Sequence, residues 1–87
     1  MVIDTRKYEL PVEICREINE MIASEDALEL LVRLYQHKDA SVRGAVVEKL
    51  MDAFPRREIA SQLQTWLSGE RDQSIRVVIN DYLGDRM

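Results

Sequence analysis

A twelve-residue phrase occurs twice in this chain. It reads Asp39-Ala40-Ser41-Val42-Arg43-Gly44-Ala45-Val46-Val47-Glu48-Lys49-Leu50, and it returns 33 residues later as Asp72-Gln73-Ser74-Ile75-Arg76-Val77-Val78-Ile79-Asn80-Asp81-Tyr82-Leu83. Asp, Ser, Arg and Leu recur at matching places, and Val42/Ile75 and Val46/Ile79 exchange one branched aliphatic for another. A repeat of this length points to stacked helical hairpins, each too small to bury its apolar face alone. The Asp of each copy suits a helix N-cap, and the Arg four residues later lies one turn further on. Asp39–Arg43 and Asp72–Arg76 are therefore expected to pair, and to form a short polar ladder where the copies stack.

The remaining segments read as helices too. Pro11 opens a first helix, placed over Pro11–Ala23, with Pro11, Ile14, Cys15, Ile18, Met21 and Ile22 on one face. Glu13, Glu17 and Glu20 line an adjacent stripe, read as a solvated face or an acidic docking edge. Ser24 caps a second helix whose inner face is Ala27, Leu28, Leu31, Leu34 and Tyr35, flanked by Leu30 and Val32. His37 and Lys38 close it, with His37 on the polar side.

The third helix starts at Asp39 and is apolar on two sides. Val42, Ala45, Val46, Leu50 and Ala53 form one stripe, and Val47, Met51 and Phe54 the other. Lys49 is expected to lay its stem across the core and keep its ammonium wet. Phe54-Pro55 stops this helix. A fourth runs from Arg56 to Leu67 with Trp66 as core filler, and Gly69 is expected to end it in the left-handed conformation. Asp72 caps a fifth, which Gly84 ends. Residues 1–10 read as a short strand at Val2-Ile3 or as a cover for the core, and Asp85-Arg86-Met87 as a frayed tail. The result is a single all-α domain over residues 1–87.

The repeat phrase resembles the second-helix signature of HEAT repeats, in particular the short HEAT-like form first noted in bilin lyases. Asp39-x-x-Val42-Arg43-x-Ala45-Val46-x-x-x-Leu50 carries one copy, and Asp72-x-x-Ile75-Arg76-x-Val78-Ile79-x-x-x-Leu83 the other. The likeness spans residues 25–84, and the small residue Ala45 is replaced by Val78 in the second copy. It implies a five-helix, right-handed α-solenoid fragment of two repeats, with the first helix as an N-terminal cap. It also implies a binding scaffold whose second helices line a concave face. The partner-binding residues expected there are Val47, Met51, Val77, Asn80 and Asp81, with Val47, Met51 and Phe54 packing inside as the competing expectation.

Charge and chemistry narrow the function. The chain has 87 residues and a net charge of −4, so it has no overall pull toward phosphate backbones. Lone Cys15 cannot form an internal disulfide and reads as a small buried hydrophobe, and the only histidine, His37, excludes a His-rich metal site. No residue is assigned to catalysis, a cofactor or a metal, because no nucleophile–base pair, ligand spacing or phosphate loop is present. The expected function is a non-catalytic protein–protein interaction module: a small scaffold, adaptor or inhibitor, or the accessory subunit of an enzyme. A homodimer through the uncovered C-terminal helix is a further expectation. The rival is a nucleic-acid-binding helix-turn-helix over 31–50, using Arg43, Arg56, Arg57 and Arg71. The absence of a long apolar run near the start suggests a cytoplasmic chain without a membrane span.

Overall fold

The computed structural model describes residues 11–84, so the expectations for residues 1–10 and 85–87 lie outside it. It is all-helical over that range: α1 (Pro11–Glu20), α2 (Glu25–Leu34), α3 (Ala40–Ala53), α4 (Arg56–Gly69) and α5 (Gln73–Gly84). No strand occurs among the described residues.

α3 is the hub. It packs on α1, α2, α4 and α5, and α4 also packs on α5. The sequence explains this position. Val42, Val46 and Leu50 on one side and Val47 on the other are all essentially inaccessible to solvent. A helix buried on both flanks needs neighbours on both, and each Val or Leu so enclosed is worth roughly 2 kcal/mol. Ile18, Leu31, Ile59, Leu63, Trp66, Ile75 and Ile79 complete a single core around it. The two copies of the repeat thus fall on α3 and α5, which touch. Gly44 lies at that contact: a Cβ placed there would sit 3.7 Å from Cγ1 of Ile75.

The helix ends follow from local chemistry. Ser24 accepts a hydrogen bond from the Ala27 N–H at 3.0 Å, a side-chain cap of the first turn of α2. Phe54, ahead of Pro55, is extended at φ −125° and ψ 148°. Two cations sit at helix C-termini, where the orphan carbonyls and the dipole favour them. Lys49 Nζ donates to the Asn19 carbonyl at 3.0 Å near the end of α1. Arg56 Nη2 donates to the Leu83 carbonyl at 2.9 Å near the end of α5, with its guanidinium 4.7 Å above the Tyr82 ring.

Two boundaries differ from expectation. α1 stops at Glu20, where the Met21 N–H turns back to the Ile18 carbonyl in a tight three-residue step. The chain then leaves the core, and Ile22 is 85% exposed rather than buried. Gly69 is the last helical residue of α4 and is not left-handed; the helix ends because Glu70 becomes extended at φ −75° and ψ 131°. That turn is set by what the Glu70 side chain does.

Candidate functional site

The two α-hairpin loops carry a polar arrangement built on the repeat. Asp39 Oδ1 accepts from the Ser41 N–H at 2.8 Å and Asp72 Oδ1 from the Ile75 N–H at 3.1 Å, so both act as caps. The arginines do not pair with them as expected. Arg43 Nη1 donates to the carbonyls of His37 (3.1 Å) and Lys38 (2.8 Å). Arg76 Nη1 donates to the carbonyls of Glu70 (3.1 Å) and Leu67 (3.3 Å). Among the described residues neither Asp39–Arg43 nor Asp72–Arg76 forms an ion pair. The physical reason is competition. Each carboxylate is already committed to its cap, and the unsatisfied carbonyls of the preceding turn offer the guanidinium a nearer acceptor. The ladder is thus two loop clamps that share one contact, the Arg donating to the carbonyl six residues back, and differ in the rest.

Between the clamps lies Glu70, 4% exposed, which sequence reasoning did not single out. It accepts from Arg43 Nε at 3.1 Å, Arg43 Nη2 at 2.9 Å, the Asp72 N–H at 2.9 Å and the Tyr35 hydroxyl. Burial by itself would raise its pKa. The hydrogen bonds from Arg43, Tyr35 and the Asp72 amide outweigh it and hold the carboxyl down at about 2. Burial, followed by the bond to Glu70, pushes the Tyr35 hydroxyl up. The bond to Glu70 is likewise the main cause that raises Arg43. Tyr35 stacks face to face on Trp66, with ring centroids 3.8 Å apart and planes 5° from parallel. This stack joins the first hairpin to the second.

One signal for Glu70 was present in the sequence. His37 stands 33 residues before it, and His37 Nδ1 accepts from the Asp39 N–H at 3.0 Å, as Glu70 does from Asp72. The two residues share a backbone role. Their side-chain types differ, so matching letters could not reveal it.

A groove of about 470 Å³ runs over α3 between α1 and α5. Its floor is small-chained, with Ala40, Ser41, Gly44 and Ala45 from α3. Cys15 and Asn19 of α1 form one wall, and Ser74, Ile75 and Val78 of α5 the other. The charged residues lining it are Glu48 and Asp72, both acidic. Cys15 sits in its wall with the thiol pushed up by burial and by the charge of Asp39, which leaves it a poor nucleophile. Small side chains on the floor permit close approach of another backbone, and the walls supply apolar contact.

The expected partner-binding residues are dispersed. Val47 is 1% exposed and belongs to the core, where it lies beneath the groove over α3. Met51 is half-buried against that core. Val77, 46% exposed, and Asn80 share a shallow depression with Leu67 and Arg76, while Asn80 and Asp81 line another beside Tyr82. Of the four arginines expected to meet nucleic acid, Arg43 and Arg56 are engaged internally, leaving Arg57 and Arg71 exposed. Among the described residues there is no cluster of three or more His, Cys, Asp or Glu able to hold a metal. No described helix is long and apolar enough to cross a membrane.

No family model, curated protein or solved structure matches the chain.

Proposed function

We propose that this chain is a non-catalytic binding module that receives a segment of another protein in the groove over α3. The observation that carries the reading is the groove itself: a floor of Ala40, Ser41, Gly44 and Ala45, walls with apolar contact from Cys15, Ile75 and Val78 beside Asn19 and Ser74, and an acidic lining of Glu48 and Asp72. That chemistry suits an amphipathic helix, apolar where it meets Ile75 and Val78 and cationic toward the acids. It is unsuited to a phosphate backbone, which Glu48 and Asp72 would repel. A HEAT-like solenoid fragment is the architecture that accompanies this reading. It is supported by the 33-residue register falling on adjacent α3 and α5, with α1 on another side of α3.

Selection of helical peptides against the full chain tests the proposal. Enriched sequences should be apolar with Lys or Arg on one edge. Glu48→Lys and Gly44→Gln should weaken their binding at least tenfold, while Val77→Lys on the outer side of α5 leaves it unchanged. Peptides indifferent to Glu48→Lys and Gly44→Gln, or lost on Val77→Lys, would defeat it.

A further inference from the structure

The repeat extends two residues before its Asp, and this has a consequence on the side of the molecule bearing the loop clamps. Lys38 precedes Asp39 as Arg71 precedes Asp72. The structure brings these two cations to one depression of about 270 Å³ between the α2–α3 and α4–α5 loops, together with Gln36 and His37. Both are exposed, and neither makes an ion pair among the described residues. The acid nearest to hand is Glu70, whose side chain is 1% exposed and saturated by Arg43, Tyr35 and the Asp72 amide. Arg43 also lines the depression, but four of its five N–H donors are engaged by Glu70 and by loop carbonyls. Asp72 lines the groove over α3, and neither Asp72 nor Asp39 lines this depression. Glu70 lines the depression too, but its carboxylate is paired and 1% exposed, so the exposed charges there are Lys38 and Arg71, while Glu48 and Asp72 line the groove.

Like charges that share one depression repel, and in a chain of net charge −4 nothing in the overall balance calls for them. We infer that the depression between the two loops is an oxyanion site, in which Lys38 and Arg71 grip one phosphate or carboxylate group. Arg71 supplies a planar fork of donors and Lys38 a point charge. His37 adds a third donor: its Nδ1 accepts from the Asp39 amide, so the neutral ring carries its proton on Nε2. The depression is smaller than the roughly 300–1,000 Å³ of pockets that enclose drug-sized molecules, so it takes a single group rather than a nucleotide. The group comes either from a free anion or from a monoester or acid carried on another molecule.

NMR titration of the full chain with inorganic phosphate, O-phosphoserine and acetate, at constant ionic strength set with chloride, tests this. The amides of Lys38 and Arg71 and the His37 ring should shift saturably. Lys38→Gln with Arg71→Gln should raise the apparent Kd at least tenfold, and Arg57→Gln should leave it unchanged. Tighter binding of phosphoserine than of inorganic phosphate would assign the group to a phosphorylated molecule, and the reverse to a free anion. Shifts that never saturate and spread over all surface cations, or saturable binding that survives the double substitution, would overturn the site. Circular dichroism melts of the variants separate loss of the site from loss of fold.

Discussion

Glu70 binds the two hairpins by accepting from Tyr35 and Arg43 of the first while shaping the turn of the second. Removing one partner of a buried pair leaves the others unsatisfied, so Glu70→Ala should cost about 3 kcal/mol and Glu70→Gln less, about 1–2. Urea unfolding checks both, and equal costs would mean that charge is irrelevant there. The pH dependence follows. The carboxyl sits at about 2 in the fold against an ordinary 4.5. Its contribution is therefore complete above about pH 4.5 and is lost as pH falls from there toward 2. The size of that loss is about 3 kcal/mol at most. Tyr35 has the opposite sign: its hydroxyl is raised above 10, so its contribution holds below pH 10 and fades above it. Glu70→Gln should flatten the acid limb of the stability profile, and Tyr35→Phe the alkaline one. A steep acid limb in Glu70→Gln would place the sensitive group elsewhere. Val47 belongs to the same accounting of buried groups. Val47→Asp puts a carboxylate where the chain is 1% exposed, and should abolish the helical circular dichroism signal. A folded Val47→Asp would return this residue to the surface.

α3 concentrates the energetics because every other helix packs on it. Leu50→Ala, fully buried in its last turn, should cost about 3 kcal/mol, whereas Leu30→Ala on α2, 44% exposed, should change stability by less than about 0.5. Gly44→Ala is expected to act in the other direction. The added Cβ meets Ile75 at an ordinary 3.7 Å, and alanine favours the helix by about 0.5–1 kcal/mol. A drop in urea midpoint for Gly44→Ala would show that α3 and α5 lie closer than described. The helices themselves were legible from apolar periodicity, from Ser24, Asp39 and Asp72 as caps, and from Phe54-Pro55 as a stop. What periodicity could not supply was any contact between distant residues. The first helix carries an apolar pattern through Ile22, yet it unwinds after Glu20, and nothing in its letters marks Ile22 as surplus while Met21 still packs on the core. Arg43 was read against Asp39 because local spacing is all a sequence displays. Its true partner is 27 residues away, in a loop that pattern matching passes over.

Taken together, the helices expose two unlike surfaces: an acidic, small-floored groove between α1 and α5, and a depression with exposed Lys38 and Arg71 between the loops. A partner helix in the groove and an anion in the depression would occupy separate places, so Glu48→Lys should spare phosphate binding, and Lys38→Gln should spare peptide binding. Cross-loss in both directions would mean that the two surfaces report one site. The groove as a feature was not legible, since it depends on α1 and α5 flanking α3 from different directions.

Two identical copies of one phrase would be interchangeable, and the Tyr35–Glu70–Arg43 cluster makes these two unlike. The first copy supplies the donors and the second the acceptor, with His37 standing where the second has its carboxylate. Neither half is a spare for the other. A fragment ending at Pro55 would leave Arg43 Nε and Nη2 and the Tyr35 hydroxyl without their carboxylate. A tandem of two first halves would bring a histidine opposite an arginine. The unit of folding is the unequal pair.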